Sequence, residues 1–333
     1  MNQQTIYNKE LYYRLTALWI VCEAFAGGIM HGIKIPFTGM IVSCLSVNCI
    51  ILIAYYIPVK NSIIKATILV ALFKMLLSPH SPPTAYLAVF FQGCLGQLLF
   101  HNKRFFKISA ITLSVLALVE SAGQRILVLM IIYGNDFWYA VDSYIKKLTG
   151  GNNIYYSKWL AISYILLHAI TGVFIGIFAV RLAEKSDAWR SNQVDLIFNK
   201  NATQTHEDVK SGNKKIKWFF IFLWLVLVLL FVHAYLDPAN SVLPAGDVLR
   251  IILRTILIVL SWYLVIAPLI MGMIKRGLRL QQIKQQLAVS EIIELIPRIK
   301  YIFTKSWLLS ANAKGIKRIK LFIKILFVNV LSN

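Results

Sequence analysis

Eight apolar stretches, at roughly 12–33, 37–58, 61–78, 84–100, 107–133, 158–180, 217–236 and 250–273, constrain this chain more than any other feature of its sequence. Each approaches the ~20 residues that a single helical crossing of a bilayer requires. Strand-like alternation is absent from them, and a bilayer accepts only helices or closed barrels, so the expected class is an all-α integral membrane protein. Of the 333 residues 58% are hydrophobic and 15% charged, against a usual charged share of about 25%. The charge balance is 35 Lys/Arg to 14 Asp/Glu, or +21. Because the basic residues fall between the apolar runs, they are read as topology signals and as contacts for anionic lipids, and nucleic acid is not an expected partner. No small-residue cleavage site follows the first run, which is therefore expected to be a retained span and not a signal peptide.

The connecting segments alternate in basic content. Residues 101–107 carry Lys103, Arg104 and Lys107, the 181–217 segment holds eight Lys/Arg, and the chain beyond Lys275 is strongly basic. Segments 78–84 and 237–249 have no Lys or Arg. The positive-inside rule places both termini in the cytoplasm and the segments near 31–36, 78–84, 133–157 and 237–249 outside a cytoplasmic membrane. Lys146 and Lys147, in 133–157, are the dissenting charges.

Polarity also divides the chain. Residues 1–182 hold six spans, 183–216 form a polar cytoplasmic linker, and 217–333 hold two spans and a basic tail. No internal repeat relates the halves, which argues against an inverted-repeat transporter. From Lys275 onward there are twelve Lys/Arg and two acids, Glu291 and Glu294. Apolar residues recur there at helical spacing, so two or three amphipathic helices are expected along the inner membrane face, with Pro297 starting or kinking one and Gly315 ending another.

Charges inside the spans cost at least ~2.5 kcal/mol each, so each needs a reason. They are Glu23, Lys74, Glu120 and Arg125. A Glu23–Arg125 or Glu120–Lys74 pair between helices is as reasonable as a local one, and the network is either structural or ligand-coordinating. The outer segments offer His31, Lys34, His80, Ser81, Thr84, Tyr86, Asp136, Trp138 and Tyr139. Prolines shape these loops, and aromatics beside acids and hydroxyls suit a small polar ring-bearing ligand; Trp138 and Tyr139 equally suit an interfacial belt. Ala24, Gly28 and Gly32 recur every fourth residue and can serve close helix packing. The four cysteines form no CxxC, the histidines form no HExxH, and neither a metal nor a disulfide framework is indicated. No GxxxxGK[ST] and no GxSxG occurs, so no bound cofactor and no enzymatic activity is expected in this chain, and any ATP must be used by another protein.

Six short helices with both ends inside, followed by a basic helical tail, resemble an energy-coupling factor (ECF) vitamin transporter: a six-helix substrate-binding component joined to a short coupling segment. The tail LIPRIKYIFTKSWLLSANAKGIKRIK is similar to that family's coupling protein, in which a proline-containing helix leads to an Ala-Arg-Gly motif that contacts the ATPase. The matching positions are Pro297 and then Ala313, Lys314 and Gly315. Lys stands in the Arg position, and there is one motif where the family usually has two. The resemblance implies a six-helix transmembrane bundle, two further spans and cytoplasmic coupling helices, about eight spans in all. It implies cytoplasmic ABC-type ATPase subunits as partners, a separate transmembrane coupling protein working beside or replaced by the tail, and a small water-soluble substrate such as a vitamin covered by the loop that bears His31 and Lys34. The competing expectations are an intramembrane enzyme acting on a lipid-linked substrate through Glu23, Glu120 and Arg125, and a scaffold that recruits a partner by its tail.

Overall fold

Apolar runs interrupted by short turns with Pro, Gly and Asn give a succession of helices. The computed structural model describes residues 3–28, 30, 37–78, 81–149, 156–192, 198 and 245–332, and every regular element among them is a helix. Helix α1 (Gln3–Ile20) continues into a π-helical turn over Val21–Ala26, and α2 (Thr38–Tyr56), α3 (Ser62–Leu77) and α4 (Pro83–Leu99) follow. Asn61, left-handed at φ +61°, precedes α3, and Pro83 opens α4, where its missing N–H costs nothing. Helices α5 (Phe106–Thr149) and α6 (Tyr156–Asn192) are long. Helix α7 (Ala245–Ser261) passes through a second π-helical turn, Trp262–Ile266, into α8 (Ala267–Lys284), and α9 (Gln286–Leu309) and α10 (Gly315–Ser332) come last. This second π turn has a covalent cause. Pro268 has no N–H to return to the preceding turn, and the wider turn, closed by the Ala267 N–H on the Trp262 carbonyl, relieves the ring's clash.

Among the described residues, four helices are long and apolar enough to cross a membrane: Thr38–Tyr56, Phe106–Ile132, Tyr156–Ser186 and Thr255–Lys284. They fit an all-α membrane protein, but the described residues do not reach the eight spans or the six-span bundle expected above. Helices α3 and α4, with 16 and 17 residues, extend only about 24–26 Å against ~30 Å of hydrocarbon. Helix α1 begins in the polar QQTIYNKE, and the expected span 217–236 lies outside the described residues. The segment 133–157 also differs from the loop expected there. Helix α5 breaks at Gly134 (φ 68°, ψ −166°) and then continues to Thr149. Trp138, Val141, Ile145 and Leu148 recur at helical spacing beyond the break and favour the continued helix.

The chain forms two units, one of 1–121, 168–205 and 273–333 and one of 122–167 and 206–272. In the first, α1 packs against α2, α3, α9 and α10, and α3 packs against α4. Leu15, Trp19, Ile50, Leu69 and Phe73 are fully buried there. Helix α9 turns Val289, Ile292, Ile296, Ile299 and Ile302 into this unit, and α10 buries the run Ile325–Leu331, while Ile293, Phe303, Trp307, Leu308 and Leu309 stay exposed. Pro297 lies inside α9 with buried Ile296 and Ile299 on either side. That burial offsets the roughly 3 kcal/mol an internal proline costs. Gly315, expected to close a helix, opens α10 at φ +56°.

Residues 183–192 of the expected linker are the last part of α6. Farther along, Phe198 is pinned to α10: its N–H donates to Asn329 Oδ1 at 2.8 Å, and Lys305 Nζ stands 4.4 Å from its ring centroid. Asn329 is fully buried and also donates from Nδ2 to the Ile325 carbonyl at 2.8 Å. Removing that amide strands the Phe198 N–H. Asn329→Ala is expected to lower stability by about 1–3 kcal/mol, measured by thermal unfolding in detergent, with faster hydrogen exchange at the Phe198 amide as its local sign.

Where the unit-2 helices meet their surroundings, apolar side chains face outward. Leu127 is 57% exposed and Leu264 71%. Such surface is costly in water and ordinary against lipid tails.

Candidate functional site

The π-helical turn of α1 carries Glu23. The Gly27 N–H reaches the Cys22 carbonyl five residues back, and Ala24, Gly27 and Gly28 leave room around the widened turn. An inserted residue of this kind rotates everything after it relative to a regular helix, and it points a carboxylate into the apolar interior of the first unit.

That carboxylate is not isolated. Lys74 Nζ lies 2.6 Å from Glu23 Oε2, and the Ser46 hydroxyl donates to Oε1. Glu23 is 3% exposed, Lys74 5% and Ser46 0%, so three helices, α1, α3 and α2, each contribute one member of a buried cluster. The two charges cancel, and the hydroxyl satisfies the carboxylate's second oxygen, which is what makes a buried pair tolerable. Glu23 and Lys74 take each other, so the Glu120–Lys74 pairing expected from the sequence does not form. Glu120 lies in the part of α5 that belongs to the first unit, and Arg125 is exposed in the second.

A second polar pair accompanies the first: Gln92 Nε2 on α4 donates to Ser43 Oγ on α2 at 3.1 Å. Gln92 Oε1, the Tyr86 hydroxyl and the Trp19 indole N–H are buried without a hydrogen-bond partner. Such atoms cost about 1–3 kcal/mol each, and so mark places where a polar guest gains by arriving. Of these groups, the Tyr86 hydroxyl lies near one end of the helices. Gly28 lies against Ser78 Oγ at the α1 and α3 ends, the Ser78 and Ser81 hydroxyls are 3.0 Å apart, and Tyr86 follows one turn into α4. At the start of α2, Phe37 is held left-handed at φ +60°, with its ring 6.5 Å from that of His168. A bulky residue in that conformation costs about 1–3 kcal/mol, a strain often found at functional sites.

Of the sequence-derived ligand residues, Ser81, Thr84 and Tyr86 fall at this end of the first unit, while Asp136, Trp138 and Tyr139 belong to the second. His31, Lys34, His80 and Gly32 lie outside the described residues. Among the described residues no group of three or more His, Cys, Asp and Glu gathers as a metal site would. In the second unit Asp142 accepts from the Ser157 N–H at 2.6 Å and the Ser157 hydroxyl at 2.8 Å, joining α5 to the first turn of α6. Beside this contact lies an open cleft of about 390 Å³, whose lining includes Trp138, Tyr139 and Lys158.

Helix α1 also meets the tail. Lys9 pairs with Glu291 at 3.2 Å, and the Glu291 hydrogen bond raises the Lys9 ammonium above its usual range. Arg14, paired with Glu10, faces Arg298. Burial and then the Arg14 charge lower Arg298's hold on its proton, with Glu10 acting the other way. Of the four residues of the coupling motif, Pro297 is half-buried within α9, while Ala313, Lys314 and Gly315 form the corner between α9 and α10, where Lys314 and Gly315 are exposed.

Two features escaped the sequence reading. Ser46 gave no signal of its own among many apolar-helix serines. The TGVFIG stretch did: its two glycines, four apart, form the close contact of α6 with α5, as the Ala24/Gly28 face was expected to do elsewhere. The chain matches no protein-family model, no curated protein and no solved structure.

Proposed function

We propose that this chain is the membrane component of an ATP-driven importer of the ECF type. It takes a small water-soluble substrate, such as a vitamin, from outside and draws on separate cytoplasmic ABC-type ATPases, with no catalytic activity of its own. The observation that carries this reading is the packing of α9 along α1, the helix whose π turn holds Glu23 against Lys74. A push on the tail is thereby a push on the helix that bears Glu23, and the Glu23–Lys74 pair with Ser46 ties that helix to two others. In this reading the chain is multi-pass in the cytoplasmic membrane with both termini inside, and the short helices α3 and α4 are embedded with the longer ones. Substrate enters at the end bearing Ser81, Thr84 and Tyr86, where it can satisfy the orphaned Tyr86 hydroxyl. Coupling arises because substrate binds one arrangement of the helices better than the other.

The test is purification of the full chain from native membranes, with mass spectrometry of the proteins and small molecules that accompany it. A stoichiometric pair of ABC-type ATPases is expected with the wild type and is expected to be lost in Ala313→Glu and Lys314→Glu, with melting temperature unchanged. Absence of any ATPase, together with retained lipid-linked intermediates, rejects the importer and favours an intramembrane enzyme.

A further inference from the structure

We propose that the cleft of the second unit binds the head group and first chain segment of a zwitterionic phospholipid. The cleft shares no residue with the Glu23–Lys74 centre, and lipid binding there does not depend on the chain's working in transport.

Its lining is graded from apolar to polar. Ile126 and Met130 form its apolar part, within the stretch Phe106–Ile132 that is long and apolar enough to cross a membrane. Trp138, Tyr139 and Asp142 lie beyond that stretch, and Lys158 stands in the first turn of α6. A membrane lipid has the same gradient, from chain to head. Tryptophan, tyrosine and lysine are also the residues that settle at head-group level.

The charges choose the head group. Among the described lining residues, the charged ones are one carboxylate, Asp142, and one ammonium, Lys158. An anionic lipid would pair with Lys158 and face Asp142 unfavourably. A head group with both a phosphate and an ammonium offers each its opposite. Asp142 is fixed for this role, since the Ser157 N–H and hydroxyl each hold one of its oxygens and still leave lone pairs free. Trp138 and Tyr139 supply the aromatic faces that attract an ammonium or quaternary ammonium group. About 390 Å³ accommodates a head group and the first methylenes of a chain, leaving the remainder in the bilayer.

The experiment is native mass spectrometry of the purified full chain in detergent, titrated with equal amounts of phosphatidylethanolamine and phosphatidylglycerol, and separately with soluble glycerophosphoethanolamine. The wild type is expected to retain phosphatidylethanolamine about fivefold better than phosphatidylglycerol. Tyr139→Ala and Lys158→Glu, both at exposed positions, are expected to erase that preference without moving the melting temperature, and Lys158→Arg to keep it. Equal retention of the two lipids by the wild type overturns the proposal, and so does a preference that survives both variants. If glycerophosphoethanolamine binds as well as the lipid, the apolar floor contributes nothing, and the lipid assignment is overturned in favour of a small soluble zwitterion.

Discussion

Glu23→Ala is expected to destabilise the protein by about 3–5 kcal/mol, because it leaves the Lys74 ammonium buried, charged and without its counter-ion. Lys74→Ala is expected to cost as much, since Glu23 would keep only the Ser46 hydroxyl. The informative variant is the double one. Glu23→Gln with Lys74→Met removes both charges, keeps most of the volume and leaves an amide for Ser46, so stability is expected to return to within about 1–2 kcal/mol of the wild type. Thermal unfolding in detergent measures all three, and the coupling energy follows from the cycle. Two additive single effects would show that the pair is not the compact unit seen here. If the double variant folds but fails in the substrate uptake proposed for this chain, the pair is needed for that function and not only for folding.

Gly176→Leu is expected to prevent α6 from docking on α5. Even a Cβ at Gly176 falls 2.6 Å from Ile111 Cα and 3.2 Å from the Ala110 carbonyl oxygen, and one at Gly172 falls 2.7 Å from Val115 Cα. These neighbours are backbone, which cannot turn aside as a flexible side chain can. Overpacking in a core typically costs 1–3 kcal/mol, and a collision with backbone lies at or above the upper end, so about 3 kcal/mol or more is expected for Gly176→Leu and about 2 kcal/mol for Gly176→Ala. Gly123 is the control. Nothing lies within 4 Å of its added Cβ, so Gly123→Ala is expected to be neutral or mildly stabilising. Folded yield and melting temperature across the three variants check this order. A Gly176→Leu protein as stable as the wild type would mean that α6 does not approach α5 this closely.

Several features were legible in the residues themselves. The apolar stripe of α9, with Ile292, Ile296, Ile299 and Ile302, follows from helical spacing alone, and the charges set within apolar runs were identifiable as requiring partners. Their pairing was not. Glu23 meets Lys74 across 51 positions of sequence, and which face of α1 it occupies depends on a π turn that no residue in VCEAFA announces. One inserted residue turns a helix by ~100°, so a partner chosen from regular spacing is chosen on the wrong face. The same limit applied to the tail. A basic amphipathic helix buries its apolar stripe equally well in lipid head groups or against another helix, and periodicity carries no information about which.

The sequence by itself determined that the chain is helical and that much of its surface is apolar. Runs of that length and hydropathy admit no other regular structure in a bilayer, and the backbone must satisfy itself locally there. Only the tertiary structure decided which charges cancel, which glycines admit a neighbouring backbone, and that α9 and α10 close on α1. Those outcomes depend on helix rotation and register, set by long-range packing to a fraction of a turn, and local sequence preference acts below that resolution only through its sum over the whole fold.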